Sequence, residues 1–383
     1  CTFDSFFFTT EKTTNTVEIL DPTVTVKLLG ASGAYSGLMA HGTVSSAALT
    51  LIGGTYDLNN KGSICPSDSY NDGSKFRNYC QMILDNVTVT NAAALSFSSG
   101  SFDDRLVIRN KSRIYTAKAN GMSDSLNVNY PKGAYFEVSG GSKVYAETCV
   151  SPLGRGMANA TFLVTGEDSL VTGKPTAAST IFGSTCSNAR LIVDDYGELN
   201  LCYSYIAALN THDCGIDVKN NAILRLIGDS PTHFPHDVTA HDVALNVLSG
   251  AEFSCEGEFY FGYSATAGKK PEKMSVLVSN AVFSAKTFSF GGRFGSVRVM
   301  GAESKVTGLG GTLFNGAECS SLEFADGATY HWDYPYLSAI GTSNNTFAVE
   351  ADAVVSFGNF NGSSYHSGAG DSAHGNTVRI GSG

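Results

Sequence analysis

The chain has 383 residues, 16% of them charged, with 42 Gly, 9 Pro and a single Trp. Its formal charge is −10, from 25 basic against 35 acidic residues, without the concentrated positive stripe that nucleic-acid binding requires. No apolar run approaches the roughly 20 residues that span a bilayer, so no transmembrane segment is expected, and apolar residues recur too regularly for a disordered chain.

Taken in chain order, one short phrase returns again and again: an apolar residue, any residue, then Val, Ile, Leu or Phe. Weaker copies fall at Val24/Val26, Leu49/Leu51, Val87/Val89, Leu106/Ile108 and Leu126/Val128. Stronger ones follow at Phe162/Val164, Leu191/Val193, Ile216/Val218, Leu245/Val247, Val276/Val278, Val297/Val299, Leu322/Phe324, Phe347/Val349 and Val378/Ile380. From Leu191 onward their starts lie 25, 29, 31, 21, 25, 25 and 31 residues apart. Alternation within the phrase has period 2, so each copy is a strand with one face inward. A small residue and a further apolar one follow, as in Gly197-Glu-Leu199 and Gly250-Ala-Glu-Phe253, and the Gly suits a corner with positive φ.

A βαβ unit would need a helical stretch in every repeat, and a propeller blade needs about 40 residues. The spacing therefore predicts an all-β fold, a right-handed parallel β-helix (β-solenoid) of about 14 coils of 20–31 residues, ~65 Å long at the inter-strand spacing. Residues 1–383 form one domain in this reading, with 1–23 as an N-terminal cap or docking segment and 57–82 as a loop insertion. Further excursions fall at 145–160, 229–242, 263–274 and 358–376. Asn or Asp leads the first strand at Asn159, Asn188, Asp213, Asp242, Asn345 and Asn376, where stacked side chains are expected to form a hydrogen-bonded ladder.

The phrase from Asp242 to Phe253 resembles the passenger repeats of autotransporter-type surface proteins, in which a polar residue leads Leu-x-Val and Gly-Ala-x-Leu follows. More loosely it resembles the pectate-lyase-like β-helix superfamily. The resemblance covers nearly the whole chain and implies an elongated, extracellular, often adhesive protein.

Nine cysteines lie without CxxC spacing, which argues against a zinc or redox motif. Cys65 and Cys80 flank a polar excursion and are the disulfide candidate. Cys1 stands where a mature bacterial lipoprotein carries its lipid, although apolar residues follow without a tether. Sequons beginning at Asn86, Asn110, Asn159, Asn344 and Asn361 are compatible with secretion.

Four His residues fall within 30 positions, at His212, His233, His236 and His241. His233, His236, Asp237 and His241 form the metal candidate, with Zn²⁺ as the default ion; a polar loop with its imidazoles bonded to carbonyls is the alternative. Asp68, Asn71 and Asp72 have calcium-like spacing without the distal Glu of an EF-hand, and also read as an Asx-rich turn. Tyr330, Trp332, Tyr334 and Tyr336 are the binding candidates, since aromatic faces on a rigid strand suit sugar stacking or a protein contact; an outward ladder shielding the sheet is the alternative. Phe259, Tyr260, Phe261 and Tyr263 read as core. Asp103-Asp104 and Asp194-Asp195 are paired carboxylates, but strand neighbours point to opposite faces.

The Asn-Thr-Asp, paired Asp, Gly-His-Gly and Arg-x-Lys set of polygalacturonase-like β-helices is missing. The expectation is accordingly not an enzyme but an extracellular or cell-surface structural or adhesive solenoid, a rod or filament subunit. Its ends would self-associate head to tail, with residues 1–20, including Phe3, Phe6, Phe7 and Phe8, covering a neighbour's terminal coil. Surface glycans or host proteins are the other expected partners. The alternative is a glycan-binding or glycan-cleaving β-helix, a polysaccharide lyase or spike.

Overall fold

A computed structural model describes residues 1–3, 13–29, 37–39, 47–66, 79–97, 102–117, 124–127, 132–175, 178–262, 270–308, 311–312, 317–332, 335–336, 343–350, 352–357 and 377–381. Among these residues there are strands and turns and no helix, hence no helix long and apolar enough to cross a membrane. The fold is an all-β parallel β-solenoid. Two compact units divide it, residues 1–181 with 186–202, and 182–185 with 203–383.

Each coil has up to three strands, stacked into a long sheet, a second sheet and a third, the last two joined where Glu252–Phe261 and Val282–Phe290 run through both. The long sheet of the first unit runs from Thr14–Glu18 through Ala48–Ile52, Gln81–Asp85, Arg105–Arg109, Tyr135–Val138 and Thr161–Thr165 to Arg190–Asp194, every pair parallel. In the second unit it comprises His212–Val218, His241–Leu248, Ser275–Ser279, Ser296–Met300, Ser321–Ala325, Thr346–Val349 and Thr377–Ile380, again parallel throughout. Among the described residues the long sheet has seven strands in each unit, and copies of the phrase supply four of the first seven and all of the second.

The register explains the phrase. Leu49, Met82, Leu106, Phe136, Phe162 and Leu191 share one position in the first unit and are all buried. Ile216, Leu245, Val276, Val297, Leu322 and Phe347 do so in the second. Burying such a side chain stabilises by about 1.5–3 kcal/mol, so a polar residue at any of these positions is costly. In the second unit the core becomes aromatic: Phe253 stacks on Phe283 and Phe261 on Phe290, each pair with centroids 5.0 Å apart.

Three upstream copies belong to other strands of the coil than expected. Val24/Val26 and Val87/Val89 border or lie in Thr25–Leu28 and Thr88–Ala92, which are second-sheet strands, and Leu126 lies in the third-sheet strand Asp124–Asn127. The long-sheet strands nearby are Thr14–Glu18, Gln81–Asp85 and Tyr135–Val138. All three sheets alternate with period 2, so alternation identifies a strand without identifying its sheet.

The corner before the long sheet adopts the left-handed conformation at Asn159, Asn188, Asp213, Asp242 and Asn344, with φ between 49° and 55°. Asn and Asp tolerate this region because their short side chains bond locally. Asn188 Nδ2 donates to Asn159 Oδ1 at 2.7 Å, one rung of the expected ladder. Asn345 is a correction: Asn344 takes the corner, while Asn345 is buried, donates to the Ala317 carbonyl and accepts from the Ser320 amide. Asn376 lies outside the described residues.

Several expected excursions contain third-sheet strands. Ser63–Cys65 lies within 57–82, Cys149–Ser151 within 145–160 and Thr232–Phe234 within 229–242. Both members of the disulfide candidate, Cys65 and Cys80, are buried. Cys65 ends a third-sheet strand, whereas Cys80 stands before a strand of the long sheet. Phe3 is exposed in the strand Thr2–Phe3, beside Lys27 and Leu28; Phe6, Phe7 and Phe8 lie outside the described residues.

Candidate functional site

The third sheet of the second unit presents a strip of aromatic and imidazole rings. Its strands are Ser204–Ile206, Thr232–Phe234, and the second halves of Glu252–Phe261 and Val282–Phe290, in parallel register. Tyr205 lies opposite His233, and His233 opposite Tyr260. On these strands the neighbours Ser204, Ile206, Thr232, Phe234, Phe259 and Phe261 are buried, so the alternating residues Tyr205, His233 and Tyr260 face outward.

The rings form a connected set. His233 stacks on Tyr260 with centroids 5.1 Å apart and 24° between planes. His236 lies 4.2 Å from the Tyr205 ring, and Tyr203 meets the same ring edge-on at 6.4 Å. His233 and His236 are perpendicular at 6.0 Å.

The turn after Phe234 positions His236. The amide of His236 donates to the Ile206 carbonyl at 2.7 Å, tying the turn to the preceding coil. Asp237 Oδ1 accepts from both the amide and the hydroxyl of Thr239, and that hydroxyl accepts from the Asn210 amide at 2.8 Å. Asp237 is thus committed to its own turn.

Burial lowers the pKa of His233, with the neighbouring His236 adding to the effect. Burial also lowers His236, partly opposed by Asp237. Burial therefore favours the uncharged imidazole at both positions. The Tyr260 hydroxyl donates to Glu258, and Glu256 accepts from the Gly228 amide at 2.7 Å. Flat apolar faces, with hydroxyl, imidazole and carboxylate groups at their edges, are what a sugar ring's CH face and hydroxyls engage.

The expected metal set is not assembled. His241 begins a long-sheet strand and stacks on His212, while His233 and His236 are in and beyond a third-sheet strand. Among the described residues no three His, Cys, Asp or Glu side chains meet as metal ligands. The calcium candidate, Asp68 to Gly73, lies outside the described residues.

The aromatic candidate at 330–336 is also corrected. Tyr330 is buried and stacks on Phe324 at 5.4 Å, so its ring is part of the core and unavailable to a ligand. Trp332 ends the strand Thr329–Trp332 and Tyr336 ends Pro335–Tyr336; Tyr334 lies outside the described residues. Phe259 and Phe261 are core as expected, but Tyr260 between them faces out; Tyr263 lies outside the described residues. Asp104 is buried and accepts from the Cys80 amide, and Asp194 accepts from the Asp195 amide, which are structural tasks.

Tyr203 and Tyr205 were not among the sequence candidates. Tyr203-Ser-Tyr205-Ile206 alternates like the other strands, and that alternation was the available signal.

No family model matches the sequence, and no curated protein matches it. One similar solved structure is a mutant tailspike protein of E. coli bacteriophage HK620 in complex with a hexasaccharide. The match covers 90% of this chain and 71% of that one, at 10% identity and a TM-score of 0.38. The expectation of a non-enzymatic protein is withdrawn, because it rested on missing motifs, which exclude no reaction; a likeness of this degree assigns neither a ligand nor a reaction.

Proposed function

We propose that this chain is a glycan-binding β-solenoid whose binding platform is the strip of Tyr203, Tyr205, His233, His236 and Tyr260. The observation that carries this reading is the outward row Tyr205, His233 and Tyr260, held in strand register over successive coils, with His233 stacked on Tyr260 and His236 against Tyr205. Strands about 4.8 Å apart fix the ring spacing without side-chain reorganisation on binding. Rigid aromatic rings lose little conformational entropy when they become contacts. The hexasaccharide belongs to the tailspike; for this chain the proposal rests on its own rings. An extracellular or cell-surface adhesive role is part of the same proposal, with the solenoid as a stiff carrier.

The test is an oligosaccharide array probed with the full chain and with Tyr205→Ala and Tyr260→Ala. Each substitution is expected to weaken binding by up to about tenfold, the equivalent of the 0.5–1.5 kcal/mol of an aromatic contact. Array binding unchanged in the double variant would sink the assignment. Bound oligosaccharides incubated with the chain and analysed for new reducing ends or unsaturated products show whether binding proceeds to cleavage.

A further inference from the structure

A second cluster stands on the outer face of the second sheet in the first unit. Arg113 lies directly opposite Lys143, and Tyr115 opposite Tyr145, on the strands Arg113–Thr116 and Lys143–Ala146. Ile114 and Val144 between them are fully buried, so alternation puts all four named side chains outside. The tyrosine rings stack with centroids 5.1 Å apart and 10° between planes.

Two cations opposite one another in a ladder repel. Other cations among the described residues face acids instead: Arg298 faces Glu323 at 3.3 Å, and Arg293 lies between Glu272 and Glu318. Beside Arg113 and Lys143 the ladder continues instead into Thr88 on one side and Leu170 on the other. Nearby acids are engaged elsewhere, Glu147 with Lys174 at 2.6 Å and Glu198 with Asn200 at 2.8 Å. Glu167 and Asp168, at the corner before Leu170, form no ion pair with either cation among the described residues.

We infer that this patch binds an acidic sugar. The sugar lies across the outer edges of the stacked Tyr115 and Tyr145 rings, where their hydroxyls can bond its own, and its carboxylate or sulfate lies between the Arg113 guanidinium and the Lys143 ammonium, relieving their repulsion. Different residues carry this site and the strip proposed above, so either can fail without the other.

The experiment is calorimetric titration of the full chain with oligogalacturonate and with a sulfated oligosaccharide. Controls are neutral maltohexaose, inorganic sulfate and an oligoglutamate of matched charge. An acidic oligosaccharide is expected to bind, more weakly as salt rises. Affinity is expected to fall ~10-fold or more in the Arg113→Gln/Lys143→Gln variant, and ~5-fold in Tyr115→Ala, which keeps both charges. No binding of either acidic oligosaccharide would overturn the inference. So would oligoglutamate or sulfate binding as tightly, or affinity indifferent to these substitutions. A second measurement needs no ligand: Lys143→Glu should raise the melting temperature by replacing repulsion with attraction, and an unchanged or lower value counts against the inference.

Discussion

His212 and His241 stack ring on ring across one coil step, centroids 5.3 Å apart and planes 9° from parallel. Each directs Nδ1 to the carboxylate of the aspartate that follows it, Asp213 or Asp242, at 2.8 Å. The aspartates hold the left-handed corner, and the imidazoles ride on them.

The weight at this corner should lie with the aspartates. Asp242 has φ 54°, and an ordinary L-residue there costs roughly 1–2 kcal/mol. Asp242→Ala is expected to destabilise by about that amount, Asp242→Gly by less because Gly accepts the conformation. His241→Ala, at an exposed pair, should cost under ~1 kcal/mol. Urea unfolding of the three variants checks the order.

Acid should weaken the third-sheet strip of the second unit. The folded pKa values of His233 and His236 are lowered from 6.5, so below about pH 6.5 the unfolded chain takes up protons that the folded chain does not. Their contribution is intact above that pH, declines as pH falls towards the lowered folded values, and levels off below them. Unfolding midpoints measured from pH 7.5 to 4.5 should show this slope, and His233→Gln/His236→Gln should flatten it.

Tyr56 is fully buried and its hydroxyl has no hydrogen-bond partner among the described residues. Burial pushes its pKa up to about 12. Tyr56→Phe removes a desolvated group without opening a cavity and is expected to stabilise the fold by about 1 kcal/mol. A lower melting temperature for this variant would show that the hydroxyl is satisfied.

Gly308 has φ +85°, and a Cβ built on it would stand 1.7 Å from the Ala285 carbonyl oxygen. That oxygen belongs to the backbone of the preceding coil, so a flexible side chain cannot yield to relieve the contact. Gly308→Ala should therefore cost on the order of 3 kcal/mol, read as a shift of the denaturant midpoint with the slope unchanged.

The alternation of Leu245-Asn-Val247 with its equivalents, and their return after 21 to 31 residues, determined the solenoid and most of its long-sheet strands from sequence alone. A strand of period 2 needs only its own neighbours to declare which side is apolar, and a repeat needs only comparison with itself. The corner residues Asn159, Asn188, Asp213 and Asp242 were legible for the same reason, since positive φ is a local demand. Which sheet Val26 or Leu126 joins was not legible, because all strands of a coil alternate alike. Nor were the sites. Tyr330 and Tyr260 are both tyrosines set among aromatic residues, yet one packs on Phe324 in the core and the other faces outward on His233. Tyr205, His233 and Tyr260 are separated by 28 and 27 residues, and Arg113 and Lys143 by 30. Loops of unequal length join them, so only the register of the stacked coils decides which rings and charges become neighbours.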